Sequence, residues 1–330
     1  MTVLEIEAAC NLAEPPTSLR QPLELPALTL VKTFYPYGFP MEIRTNAVEV
    51  LDMAERLWGG FAPQHATKLI VSEVHVTEGE APILPHLPTY RFVRPLFTSI
   101  VDGGNYVLSD LERGHSYTVM TRGMLESTLY VEYFFMMVPL GALPVKTVHA
   151  ACVALDGHGV MLCGDSGAGK STLSYACARA GWEYVSDDGS YLLDCERRIV
   201  TGNSHQIRLR PSASELFPEI QGLGPTPRAA GKPSIEFSTV PMQHVRRRTS
   251  VQVDHIVFLN RNSGSLPMLM PYRKDVARLY MNQTIFGTEE ASLSHARCID
   301  QMLAADVYEL RYTDLDWAIE RLRRLVMEHQ

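Results

Sequence analysis

Residues His149 to Asp188 read HAACVALDGHGVMLCGDSGAGKSTLSYACARAGWEYVSDD, and the fold turns on how this stretch is parsed. HAACVALD has the apolar content of a buried strand, DGHG is a turn of conformationally permissive residues, and VMLCG is a second strand. Together they predict a β-hairpin that runs straight into Gly164-Asp165-Ser166-Gly167-Ala168-Gly169-Lys170-Ser171, a full match to G-x-x-x-x-G-K-[ST]. A helix is predicted from Ser171 to Ala180, stopped by Gly181. WEYVSDD then returns as a strand that ends on two aspartates.

A glycine-rich loop between an apolar strand and a helix is an anion nest. Its backbone N–H groups turn inward, and the helix start adds unpaired donors and a favourable dipole. Lys170 is spaced to reach the β- and γ-phosphates of a nucleotide, and the Ser171 hydroxyl to bind Mg²⁺. Gly164, Asp165, Ser166, Gly167, Ala168, Gly169, Lys170, Ser171 and Thr172 are therefore the candidate ATP-binding residues. Asp187 and Asp188 lie 17 and 18 residues beyond Lys170. One helix and one strand bring the chain back to the crevice where α/β sheets bind ligands. One of the two carboxylates, Asp187 or Asp188, is the candidate Mg²⁺ ligand alongside Ser171, and the other the candidate base toward an attacking hydroxyl. Read alone, Asp-Asp-Gly is an ordinary turn, and the nearby loop is what gives it chemistry. His149 alone on a strand reads as a core or surface residue, and His158 as an exposed turn residue. Lys232, in a Gly/Pro loop, and Arg208 or Arg210, in QIRLRP, are candidates to clamp the γ-phosphate, against a reading as ordinary loop cations.

Taken together, His149, GDSGAGKS and the Asp187-Asp188 pair resemble the HPr kinase/phosphorylase catalytic domain, which shares its fold with phosphoenolpyruvate carboxykinase. The resemblance covers roughly Val148 to the C-terminus. It implies a mixed α/β sheet carrying the phosphate loop, and an ATP- and Mg²⁺-dependent kinase acting on a seryl hydroxyl of a protein or peptide. It also implies an active-site role for His149, a general-base role for Asp188, which leaves Asp187 as the Mg²⁺ ligand, and a homo-oligomer. The acidic net charge and the scattered cysteines point to a cytoplasmic setting. Two positions depart from the family pattern: Thr172 stands where glutamate is usual, and Gln206 replaces a Mg²⁺-binding glutamate before Ile-Arg. The departures point to a divergent member, of the kind that includes kinases of ribosomal peptides such as lasso-peptide precursors. Two other readings keep part of this picture: a kinase of a small-metabolite hydroxyl or carboxylate, and a nucleotide-binding regulatory module without transferase activity.

Outward from this region the chain is less explicit. At 330 residues with 46% hydrophobic and 20% charged residues it can bury a sizeable core, and a net charge of −7 argues against general nucleic-acid binding. The expected organisation is an extended segment over 1–30, an N-terminal α+β lobe over 31–145 and the phosphate-loop catalytic domain over 146–330. Thr45–Trp58 predicts a helix, Lys68–Val76 a strand, Tyr90–Val101 further strands and Ser127–Met137 a buried helix. Val251–Leu259 predicts a strongly apolar strand, and Asp314–Glu328 an amphipathic terminal helix. Arg246-Arg247-Arg248 reads as a solvated strand end. The six cysteines lack C-x-x-C spacing and read as reduced core residues, and neither a signal peptide nor a membrane span is expected.

Overall fold

The computed structural model describes residues 25–81, 88–93, 95–127, 130, 134–135, 141–228, 232–261, 266–282 and 289–328. Two sheets organise them. The first is built from Leu30–Phe34 (β1), Met41–Thr45 (β2), Ile70–Thr77 (β3), Thr89–Val93 (β4), Leu96–Asp102 (β5), Asn105–Asp110 (β6) and His115–Thr121 (β7). Its strand order is β1-β2-β3-β7-β6-β5-β4, with β3 parallel to both β2 and β7. Met41, Ile43 and Thr45 alternate inward along β2. Against that face lies the helix Val48–Trp58 (α1), which buries Val50, Met53, Ala54 and Trp58 at helical spacing. A short helix, Arg122–Ser127 (α2), follows β7. The buried helix expected over Ser127–Met137 lies largely outside the described residues, as does most of the segment expected over 1–30.

The second sheet contains the decisive stretch. Its strands are Lys146–Val148 (β8), Ala151–Leu155 (β9), His158–Cys163 (β10), Glu183–Ser186 (β11), Ser190–Asp194 (β12) and Ile199–Gly202 (β13). Gln206–Leu209 (β14) and Ile235–Ser238 (β15) form a separate two-stranded ribbon. Arg246–Arg247 (β16), Ser250–Asn260 (β17), Met268–Pro271 (β18) and Asp306–Arg311 (β19) complete the ten-stranded mixed sheet. The long β17 is its spine. Its later residues run parallel between β10 and β19, while its first residues pair antiparallel with β13.

Both faces of β9 and β10 are covered, which is why these strands read as unbroken apolar runs rather than alternating ones. Cys152, Ala154, Met161 and Cys163 face a layer containing Met281, Ile299 and Met302, from the helices Lys274–Asn282 (α4) and Glu289–Met302 (α5). Ala151, Val153, Val160 and Leu162 face Leu173 and Cys177 of the phosphate-loop helix, Lys170–Arg179 (α3), and Leu322 and Leu325 of the terminal helix Leu315–Glu328 (α6). The architecture is a mixed α/β sheet with helices on both sides.

The cysteine expectation needs correction. Cys195, at the end of β12, is joined to Cys298 of α5 across 103 residues with Cα atoms 5.2 Å apart, whereas Cys152, Cys163 and Cys177 are free and buried. Packing of α5 over the sheet brings the pair together, a proximity that sequence spacing does not reveal. His158 is also more than a turn residue: it opens β10, and its Nδ1 lies 2.9 Å from Asp254 Oδ2. No helix among the described residues is long and apolar enough to cross a membrane.

Candidate active site

The hairpin before the loop turns on two residues, Asp156 (φ 51°) and Gly157 (φ 91°), so Leu155 pairs directly with His158. Successive left-handed residues give a turn whose twist matches the flanking strands. β10 therefore delivers Gly164 to the end of the sheet, and α3 starts at Lys170. Gly169 must be glycine for two reasons. Its φ is +100°, and a Cβ placed there would lie 2.8 Å from the Tyr312 hydroxyl.

Two interrupted strands place the facing chemistry. β8 pairs with β12, whereas β9 pairs with β10 and β11, so the chain changes neighbours at His149-Ala150 and again at Asp187–Gly189. The two breaks lie side by side. The Ser190 hydroxyl donates to the Ala150 carbonyl at 2.9 Å and lies 2.8 Å from the Ser186 hydroxyl, stapling the corner. His149 is thus not within a strand, as its sequence context predicts, but at a break that turns its ring toward Asp188, with Nε2 3.3 Å from Oδ1. Burial, and then the nearby Lys170 charge, hold the His149 imidazole below its ordinary pKa, so it is neutral near pH 7.

The two aspartates occupy different environments. Asp188 is half-exposed at 49% of its side chain and is flanked by His149 and by Arg208, whose Nη1 lies 3.7 Å from Oδ2. Asp187 is buried and accepts the Arg208 backbone N–H, and burial pushes its carboxyl up to about 7. The Ser171 hydroxyl donates to the Asp187 carbonyl at 3.3 Å, tying the start of α3 to the aspartate turn. Lys170 is buried. Its ammonium donates to the carbonyls of Gly164 at 2.6 Å and Asp165 at 3.3 Å, and burial lowers its pKa from the ordinary lysine value.

These groups line one cavity of about 400 Å³, which brings together His149, Ser166, Lys170, Ser171, Asp188 and Arg208. Lys232 reaches the loop from the opposite side, 3.3 Å from the Ser166 hydroxyl, and Arg210 lies on the rim. Of the sequence candidates, Gly164, Asp165, Ala168 and Asp187 are not on the cavity wall. Gly164 and Asp165 instead present carbonyls to Lys170.

Sequence reasoning missed two features. Arg261, just beyond β17, lines the cavity, but nothing in its sequence neighbourhood marks it. Glu236 on β15 is the other. Its side chain is only 5% exposed and is paired with Arg208 (Nε to Oε1, 3.0 Å) and Arg228. Burial would raise the Glu236 carboxyl, but bonds from Arg228 and the charge of Arg208 outweigh it and hold the pKa below the ordinary value. Gln206 Nε2 also donates to Glu236, at 3.1 Å. The position where the resemblance expects a carboxylate thus carries an amide that leans on a carboxylate from the next strand. Cross-strand register, not linear spacing, creates this contact, with Arg208 directly opposite Glu236.

The donors around the loop are the Ser171 hydroxyl and the aspartate oxygens, the all-oxygen set that Mg²⁺ prefers. The Ser171 hydroxyl lies on the cavity wall, whereas Asp187 lies behind it with its carboxylate accepting the Arg208 N–H, so Asp187 would reach a hard cation only through water. Glu236 does not extend that set, because its oxygens are taken up by arginine.

Comparison with known proteins finds a partial similarity to HPr kinases. No protein-family model matches it. It is 33% identical over 81 residues to the HPr kinase/phosphorylase of Peptoclostridium acidaminophilum, a match that spans 24% of this chain and 24% of that relative. The structure of the HPr(Ser) kinase/phosphatase from Coxiella burnetii aligns with 56% of this chain and 99% of its own at 17% identity, with a TM-score of 0.30. A superposition that loose carries no argument about the site.

Proposed function

We propose that this protein is an ATP- and Mg²⁺-dependent kinase that transfers the γ-phosphoryl group to an aliphatic hydroxyl, a seryl side chain of a protein or peptide. One observation carries the reading. A phosphate loop and a half-exposed carboxylate, Asp188, open into one cavity whose other wall is cationic. A binding module needs the loop. It does not need a carboxylate within reach of the phosphate end.

In this reading the loop amides and Lys170 hold the β- and γ-phosphates, and Mg²⁺ would be held by Ser171 directly and by Asp187, which lies off the cavity wall, through water. The ion supplies charge neutralisation on the phosphate oxygens. Asp188 accepts the acceptor hydroxyl proton as the oxygen attacks phosphorus in line. His149, neutral and 3.3 Å from Asp188, orients that carboxylate and takes a hydrogen-bonding share of the proton. Arg208 and Lys232 face the transferring group from the side opposite the loop. Most of the rate gain then comes from positioning and fixed charge, as phosphoryl transfer allows.

The test uses γ-labelled ATP with serine-containing peptide pools and, separately, a pool of small hydroxylated metabolites, with phosphoserine read by mass spectrometry. Asp188→Asn should keep ATP affinity within about twofold while lowering turnover by about 10²–10⁴-fold. Undiminished turnover in that variant removes Asp188 from the base role. Tight ATP binding with no phosphorylated product in either pool would falsify the transferase reading.

A further inference from the structure

A second cavity of about 520 Å³ adjoins the phosphate site, and the two share a wall. Arg261 lines both. Thr172 lines the first cavity and Ala176 the second, four residues on along α3, with Ala180 at the C-cap continuing the same stripe. The turn after β14 repeats the pattern, with Ser212 in the first cavity and Leu216 in the second. One groove therefore continues past the loop along α3, about 6 Å per helical step of four residues.

The chemistry of the wall changes along it. The first cavity carries Lys170, Arg208, Arg210, Lys232 and Arg261 against the single carboxylate of Asp188. The second carries the carboxylates of Asp314 and Asp316 beside Ala176, Leu216, Leu315 and Ile319. Its Arg179 is already paired with Glu219 at 3.0 Å. One Asp314 oxygen caps α6 by accepting the Trp317 N–H at 2.7 Å, whereas Asp316 stands exposed in the first turn. With these two carboxylates set against Arg179 and the shared Arg261, the wall suits a polyphosphate far less than the first cavity does. A neutral group with hydroxyls and a flat apolar body suits it, since carboxylates accept from sugar hydroxyls.

We propose that this second cavity is the nucleoside subsite: the sugar faces Asp316, the base lies against Ala176, Ala180 and Leu216, and Arg261 marks the crossing from phosphate to sugar. The proposal rests on the phosphate-loop reading above and adds where the rest of the nucleotide goes.

Calorimetric titration of the full chain with Mg²⁺ and either ATP or inorganic tripolyphosphate tests it. Wild type should bind ATP about tenfold or more tightly than tripolyphosphate, roughly 1.4 kcal/mol or above. Ala180→Trp, which fills the groove from the exposed C-cap of α3, and Asp316→Ala should each bring ATP down to the tripolyphosphate level. Tripolyphosphate affinity should stay unchanged in both, which also shows that the variants are folded. Equal affinities in wild type overturn the proposal, and so does full ATP affinity in both variants. Failure of wild type to bind tripolyphosphate at all sinks the phosphate-loop reading itself, and the two failures are thereby told apart.

Discussion

The phosphate loop and the β14–β15 ribbon face each other across one cavity, and they are built in opposite ways. Over Gly164–Gly169 the loop acts through its backbone. Glycines supply the turns, Lys170 anchors on the loop's own carbonyls, and in the proposed reading the amides are the donors. The ribbon acts through side chains drawn from strands about thirty residues apart, with Glu236 holding Arg208 and Arg228 in place. A backbone device must be contiguous in sequence, because one turn has to be made by one run of residues. A side-chain device needs only register. The first is legible in a sequence, and the second waits for the fold.

The sharpest way to break the comparison is to remove Lys170, the loop side chain on which the proposed reading depends most. Lys170→Ala should abolish measurable transfer, a loss on the order of 10³-fold or more, by removing a fixed charge from the transferring phosphate. Stability should change little or even rise, since a buried ammonium with a lowered pKa is being replaced by a methyl group. Transfer rate from labelled ATP and the urea midpoint are the two readouts. Substantial residual transfer in this variant would place the chemistry elsewhere.

On the ribbon the order is reversed, with stability moving first. Glu236→Gln leaves Arg208 and Arg228 without their shared carboxylate in a largely buried setting, and a loss of about 2–4 kcal/mol is expected from urea unfolding. Transfer should fall by less than in Lys170→Ala, through a raised KM for ATP, because Arg208 loses the partner that fixes its direction. If Glu236→Gln is neutral for stability, the ribbon is not held by this carboxylate, and the contrast with the loop fails.

The distinction also explains what the sequence could and could not disclose. The hairpin, loop, helix and returning strand were readable from Val148 to Asp188, because apolar runs and glycines mark them locally. The adjacency of His149 and Asp188 was readable only through resemblance. Physically it comes from two strands changing partners at neighbouring points, and no local pattern reports that. Arg261 and Glu236 carried no signal, since an arginine after a strand and a glutamate within one are ordinary. The Cys195–Cys298 link went unseen for the same reason: its partners meet through the packing of α5, 103 residues downstream.

Within the loop, backbone and side chain can be separated directly. Gly169→Ala forces an alanine to φ +100° against the Tyr312 hydroxyl, and a loss of about 1–2 kcal/mol in stability with weaker nucleotide binding is expected. Ser166→Ala, three positions earlier, should leave stability within about 0.5 kcal/mol, because it removes only an exposed contact with Lys232. Calorimetric ATP titration and thermal midpoints for the pair give the measurement. Equal effects would mean that the loop, like the ribbon, depends on its side chains.

The smallest expected effect lies where the ribbon meets the first sheet. His205, just before β14, packs edge-on to Phe61 with ring centroids 4.0 Å apart, and its buried Nδ1 has no hydrogen-bond partner among the described residues. Burial, reinforced by the Arg247 charge, lowers its pKa from 6.5 to about 4. Between those values the unfolded chain binds a proton at this residue that the folded one refuses. The His205 contribution therefore destabilises the protein progressively as pH falls from about 6.5 to 4. Asp187 works in the opposite direction. Its carboxyl, raised to about 7, binds a proton in the fold before the unfolded chain does, so its contribution grows as pH falls below 7. The net slope thus mixes signs, and the variant difference isolates the histidine. In His205→Gln the thermal midpoint should fall less between pH 6.5 and pH 4 than in wild type, by a degree or a few (~2–4 °C for a change of about 1 kcal/mol). Parallel curves for the two proteins would show that the junction between ribbon and first sheet is indifferent to this proton.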